Sequence, residues 1–77
     1  MMRTPSRNAI QALCERYSKG TIVELISMEG VYALPAGTRG KVIDVDDIGD
    51  IHVAWSTGRT LALIPGVDRW KVVPENE

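Results

Sequence analysis

The chain has 77 residues, nine Lys and Arg against ten Asp and Glu, and a net charge of -1 at pH 7. This length allows one domain, and the balanced charge argues against a protein that binds nucleic acid mainly by neutralising phosphates. A single cysteine excludes an intramolecular disulfide and favours the cytoplasm. No apolar stretch is long enough to suggest a signal peptide or a membrane helix.

The first predicted element is an amphipathic helix that begins at Thr4 and Pro5 and ends near Ser18. Thr4 is a suitable N-cap, and Pro5 suits the first helical position because its missing N–H is not needed there. Gly20 is placed to adopt the left-handed conformation that follows many helices. Apolar side chains recur at helical spacing at Ile10, Leu13, Cys14 and Tyr17. We expect Cys14 to be a small buried side chain on this stripe and not a reactive thiol.

The first predicted strand covers residues 21–27. Its alternation directs Val23 and Leu25 to the interior and leaves Ile22 and Ile26 on the outer surface. Outward isoleucines need a cover in a small domain. We expect the helix of the same chain to supply it, and a symmetric partner chain is the alternative, so the protein is a monomer or a homodimer.

A central hairpin follows. Residues 34–37 predict a turn in which Pro35 presets φ for the first corner and Gly37 supplies a positive φ. Residues 38–45 then form a strand in which Gly40 marks a bend or a close approach of another backbone. The acidic turn at residues 46–50 leads to a strand over residues 51–55. Its inward side chains are Ile51, Val53 and Trp55.

Two short strands complete the chain. Residues 60–64 form the fourth, and residues 65–68 form a turn before a closing strand that directs Trp70 and Val72 inward. Short strands joined by short turns favour a closed barrel, because closure leaves few unpaired edges. We therefore predict a mainly β protein, with a five-stranded SH3-like barrel over residues 21–74. A tail and the helix occupy residues 1–20, and a solvated tail occupies residues 75–77.

The motifs and their order support a family assignment. They are Lys19-Gly20-Thr21, Leu25-Ile26-Ser27-Met28, Pro35-Ala36-Gly37-Thr38-Arg39-Gly40, Asp46-Asp47-Ile48-Gly49-Asp50-Ile51-His52-Val53-Ala54-Trp55 and Leu61-Ala62-Leu63-Ile64-Pro65-Gly66. From Lys19 to Val73 the chain resembles the bacterial family of domain of unknown function 4314, with the N-terminal stretch outside the matched part. The resemblance implies a phage or mobile-element setting. It carries no assigned activity, catalytic residue or cofactor.

The acidic segment around residues 44–50 resembles a calcium loop only superficially. Ile48 and Trp55 stand where an EF-hand needs ligands, so the segment is an acidic hairpin tip. His52 is the only histidine, and one thiol at Cys14 cannot complete a zinc site with it. We expect His52 to be an ordinary surface residue. With no nucleophile and base in a recognisable motif, we predict no enzyme, no metal and no cofactor.

Two exposed surfaces are candidates for binding. The loop over residues 28–34 and the turn over residues 56–58 form a rim that predicts protein or peptide binding. The residues proposed for this contact are Glu29, Tyr32, Trp55 and Arg59. Tyr32 fits either a loop anchor packed at the barrel rim or a ring that stacks on a ligand.

The alternative is nucleic-acid binding, as in KOW-type and Tudor-like barrels. The residues for this alternative are Arg39, Lys41, Arg69 and Lys71. Strand order places Glu24 among these cations, and cross-strand ion pairs explain the cluster without a ligand. A third hypothesis is an oligomer that sequesters a small molecule.

Overall fold

The structure is a computed structural model that describes residues 6–74. It is mainly β, with one short helix and five antiparallel strands in a single sheet, which confirms the predicted class. The elements are α1 (Arg7–Arg16), β1 (Ile22–Ser27), β2 (Arg39–Val45), β3 (Ile51–Trp55), β4 (Thr60–Leu63) and β5 (Arg69–Val72).

The strand order in the sheet is β4-β3-β2-β1-β5. Strand β1 therefore lies between β2 and β5, with Glu24 opposite Arg39 on one side and Lys71 on the other. The sequence predicted this arrangement. Among residues 6–74 no ladder joins β4 to β5. Closure into an SH3-like barrel therefore stays a prediction.

The core lies on one face of this sheet. Its buried apolar side chains are Tyr17, Val23, Leu25, Leu34, Val42, Ile51, Val53, Trp55, Leu63 and Val73. The alternation predicted for β1 and β3 is confirmed. In β5 Val72 lies opposite the inward Val23, so its predicted direction is confirmed, but 42% of it is exposed, and Val73 is buried. Strand β5 pairs only with β1, so side chains along it lack a neighbour on the other side.

Gly40 marks a close approach between strands, as predicted. A Cβ built there would lie 2.5 Å from Val53 Cγ1, 2.8 Å from Trp55 Cε3 and 3.0 Å from the Ala54 carbonyl oxygen. The absent side chain allows β2 to pack directly over the Trp55 ring.

Helix α1 begins differently from the prediction. Its N-cap is Ser6, whose Oγ accepts from the Ala9 N–H at 3.1 Å. The predicted start at Thr4 and Pro5 lies outside the described residues. Gly20 follows the helix with a φ of 97°, the left-handed conformation expected for it.

The helix also packs differently from the prediction. It contacts β2. Two side chains connect it to the core: Leu13, which is half-buried, and Tyr17, which is buried and follows the helix directly. Cys14 is exposed and not buried. Ile26 stays 49% exposed, so the helix does not cover the outer surface of β1. The Tyr17 ring instead meets Trp70 edge-on, 5.9 Å between centroids, which fixes the helix near the edge of the core.

The turn before β2 is shifted by one residue from the prediction. The Thr38 N–H donates to the Pro35 carbonyl oxygen at 3.2 Å, so the corner residues are Ala36 and Gly37. Gly37 has a φ of 91°, which only glycine adopts without strain. Because that glycine takes the second corner, Pro35 is the first residue of the turn and not a corner residue.

Candidate functional site

The β1–β2 connection carries the most exposed apolar side chains. The Ala33 N–H donates to the Gly30 carbonyl oxygen at 3.2 Å, which closes a tight turn. Val31 and Tyr32 are the corner residues of this turn and are 93% and 66% exposed. Because corner side chains point away from the chain that folds back beneath them, both lie in solvent. Tyr32 is therefore not a packed loop anchor.

The ends of this loop are held in place. Leu34 is buried, and Met28 packs against the core. Asp68, only 6% exposed, accepts from the Glu29 N–H through Oδ1 at 3.2 Å and from the Ile64 N–H through Oδ2 at 2.9 Å. This carboxylate joins the loop to the β4–β5 turn and satisfies two backbone donors. The sequence interpretation missed Asp68, although an Asp after a Pro-Gly pair often bonds turn amides.

Arg59, which follows the β3–β4 turn, reaches the same loop. The Arg59 guanidinium carbon lies 5.7 Å from the centre of the Tyr32 ring, within the range of a cation–π contact. Glu29, Tyr32 and Arg59 are exposed. Trp55 is 3% exposed and its indole N–H donates to the Leu61 carbonyl oxygen at 3.0 Å, so it is a core residue.

We call the exposed group of Glu29, Val31, Tyr32 and Arg59 the rim patch. Val31 was not among the predicted contacts. Its exposure depends on the position of a tight turn inside an irregular loop, which strand alternation does not reveal. Trp55 does not belong to the rim patch, because the alternation of β3, which is visible in the sequence, directs its side chain into the core.

The predicted basic residues lie beside a carboxylate. Glu24 accepts from Arg39 Nε at 2.9 Å, and its other oxygen lies 3.5 Å from Lys71 Nζ. The hydrogen bond from Arg39, with a smaller contribution from Lys71, lowers the pKa of Glu24 below 4.5. Lys41 and Arg69 make no ion pair among residues 6–74. The Glu24 carboxylate therefore neutralises part of the positive charge that Arg39 and Lys71 bring to this surface.

Asp46 organises the β2–β3 hairpin. Its Oδ1 accepts from the Ile48 and Asp50 N–H groups at 3.1 and 3.0 Å, and its Oδ2 lies 2.8 Å from His52 Nε2. The bond to His52 is the main cause that lowers the pKa of Asp46 below 3.8. His52 is thus not an isolated surface residue, since it holds the carboxylate that shapes the turn.

The described residues 6–74 contain no group of three or more His, Cys, Asp or Glu side chains placed to hold a metal ion. No helix in that part of the chain is long and apolar enough to cross a membrane.

Comparison with known proteins gives one match. No curated protein and no solved structure matches the chain. A family model matches residues 6–73, so the similarity extends beyond Lys19 to Val73 and includes helix α1. That match covers almost the whole sequence. The chain belongs to the family described as Domain of unknown function (DUF4314).

Proposed function

We propose that the protein is a non-enzymatic interaction module whose rim patch binds a protein or peptide. The observation that carries this proposal is the exposure of Val31 and Tyr32, side by side on one turn, at 93% and 66%. Large apolar and aromatic side chains in contact with water gain most when a partner covers them.

The surroundings of these two side chains favour binding. Leu34 and the bonds to Asp68 hold both ends of the loop, so little backbone order has to be gained on association. Arg59 restricts the Tyr32 ring from one side. Tyrosine and arginine are also the residue types that most often dominate the binding energy of protein interfaces.

A pull-down from a cell lysate with wild-type and variant protein tests the proposal. Immobilised wild-type protein, Tyr32→Ala and Ile43→Ala are each exposed to a lysate of the native host after nuclease treatment, and bound proteins are quantified by mass spectrometry. Ile43 is a matched control, because it is 40% exposed on β2, outside the rim patch. We expect a protein that wild type and Ile43→Ala retain equally and that Tyr32→Ala retains about tenfold less. Equal retention by all three would contradict the proposal.

Nucleic-acid binding through Arg39, Lys41, Arg69 and Lys71 is the second candidate. Its support is the position of these cations on β2 and β5, the two strands that flank β1. Against it, Glu24 engages Arg39 and Lys71, and the net charge is -1. Titration of single- and double-stranded oligonucleotides against salt separates the two candidates, because phosphate contacts produce a steep decline of affinity with salt.

The proposed setting rests on the sequence. The motifs that resemble a family frequent on phages and mobile elements support a role there. The single cysteine supports the cytoplasm. The non-enzymatic character rests on the site, where His52 bonds to Asp46 and the rim patch contains no nucleophile beside a base.

A further inference from the structure

The outer face of the sheet combines a small apolar area with charged side chains. Ile22 on β1, Lys41 on β2 and Ala54 on β3 lie opposite one another in a row across the strands. In the adjacent row Glu24 lies between Arg39 and Lys71. Exposed cations thus surround a small apolar area, on a different surface from the rim patch.

This area is a shallow depression. The residues that line it are Ile22, Arg39, Gly40, Lys41, Ala54 and Ser56. It is shallow and open because the Ala54 side chain, between its longer neighbours, is short. Its lining is mainly apolar, and Lys41 has no ion pair among the described residues 6–74. A complementary occupant would present an apolar side chain flanked by carboxylates.

The chain itself carries such a segment. At the β2–β3 hairpin Ile48 is 58% exposed and follows the exposed Asp47, and Asp46 and Asp50 belong to the same turn. Asp46 accepts two backbone N–H groups of the turn, which holds the tip in one shape. A preorganised tip loses little conformational freedom when it docks.

We propose that the outer face of one molecule binds the acidic hairpin tip of a second copy, with Ile48 in the depression and Asp47 close to Lys41. The two surfaces carry opposite charge, while the whole molecule is nearly neutral. Opposite charges on separate surfaces attract copies to each other without raising the net charge of either one. The contact joins two different patches, so it forms either a reciprocal pair or a head-to-tail chain.

Charge exchange tests this contact. Sedimentation equilibrium over a concentration series, at about 20 mM and about 500 mM salt, measures self-association of wild type, Lys41→Glu and Asp47→Lys. We expect a mass above 8.5 kDa at low salt that falls toward the monomer at high salt. Each variant alone should associate about tenfold more weakly, and an equimolar mixture of the two should regain association because each supplies the charge that the other lost.

Arg7→Glu is the control variant. Arg7→Glu changes the net charge as Lys41→Glu does, on the exposed surface of α1, and should leave association unchanged. A monomeric wild type at low salt would overturn the proposal, as would association that Asp47→Lys leaves intact. A Lys41-dependent affinity for oligonucleotides without self-association would assign the face to phosphates instead. None of these outcomes bears on binding at Tyr32.

Discussion

Gly40 lies where two strands of the sheet pack closely. A methyl group there would meet Val53 Cγ1 at 2.5 Å and Trp55 Cε3 at 2.8 Å. Both neighbours are buried, at 0% and 3% exposure, and cannot move into solvent. The conflict is steric and unrelated to φ, since Gly40 is not among the residues with a positive φ.

Gly40→Ala should therefore lower the free energy of unfolding by about 2 kcal/mol, the usual cost of overpacking a well-filled core. Urea denaturation followed by tryptophan fluorescence measures the change. Val31→Ala is the control, because a side chain that is 93% exposed loses little when shortened. Equal midpoints for Gly40→Ala and wild type would contradict the close approach of β2 and β3.

Asp68 links two loops that are far apart in sequence. Its two carboxylate oxygens accept from the N–H groups of Glu29 and Ile64. Asp68→Ala leaves both donors without this partner, and we expect a loss of about 3 kcal/mol in the free energy of unfolding. Hydrogen exchange locates the effect: the amides of Glu29 and Ile64 should lose protection together. Loss at only one of them would contradict the bridge.

At the scale of elements, the β2–β3 hairpin depends on an ionised carboxylate. The pKa of Asp46 is lowered below 3.8, first by the bond to His52 and then by the Asp50 and Ile48 amides. A carboxyl whose pKa is lower in the folded state stabilises that state above its unfolded pKa and loses this effect as the pH falls through the folded value.

The difference in unfolding free energy between wild type and Asp46→Asn should therefore shrink as the pH falls below 3.8, because the Asp46 carboxylate becomes protonated. Denaturant titrations at a series of pH values measure it. The pKa of Glu24 is also lowered, but its contribution cancels because both proteins contain it. Asp47→Asn, which removes an exposed charge without those hydrogen bonds, is the control. A difference that does not change with pH would contradict the role of the charge.

Helix α1 is attached to the sheet at one end. Leu13 and Tyr17 reach the core, whereas Cys14 is exposed. A thiol reagent such as Ellman's reagent should therefore modify Cys14 in the folded protein at a rate within about tenfold of that in denaturant. Modification that requires unfolding would show that the helical stripe is buried, as its spacing alone had predicted.

For the molecule as a whole, the sequence predicted the strands better than their surroundings. Alternation located Val23, Leu25 and Trp55 because period-two patterning reports directly which face of a strand is buried. At Val72 it predicted the direction of the side chain but not its exposure, which position at the sheet edge decides. The spacing of Cys14 indicated a helical face but not how much of that face the sheet covers.

The rim patch was predicted in part for a similar reason. Tyr32 and Arg59 were chosen from the loops that carry them, and the structure brings their side chains together. Val31 and Asp68 were missed because their roles arise from a turn and from a contact between residues 39 positions apart. The local hydrophobic pattern of the sequence indicates neither this turn nor this contact.

The central claim is that a protein partner covers the rim patch, and site-specific photocrosslinking in the native host tests it most directly. A photoreactive phenylalanine analogue replaces Tyr32 in one variant and Ile43 in another, and the adducts are identified by mass spectrometry after irradiation. We predict one abundant protein adduct from position 32 that is absent from position 43. No protein adduct from position 32, or the same adducts from both positions, would contradict the claim.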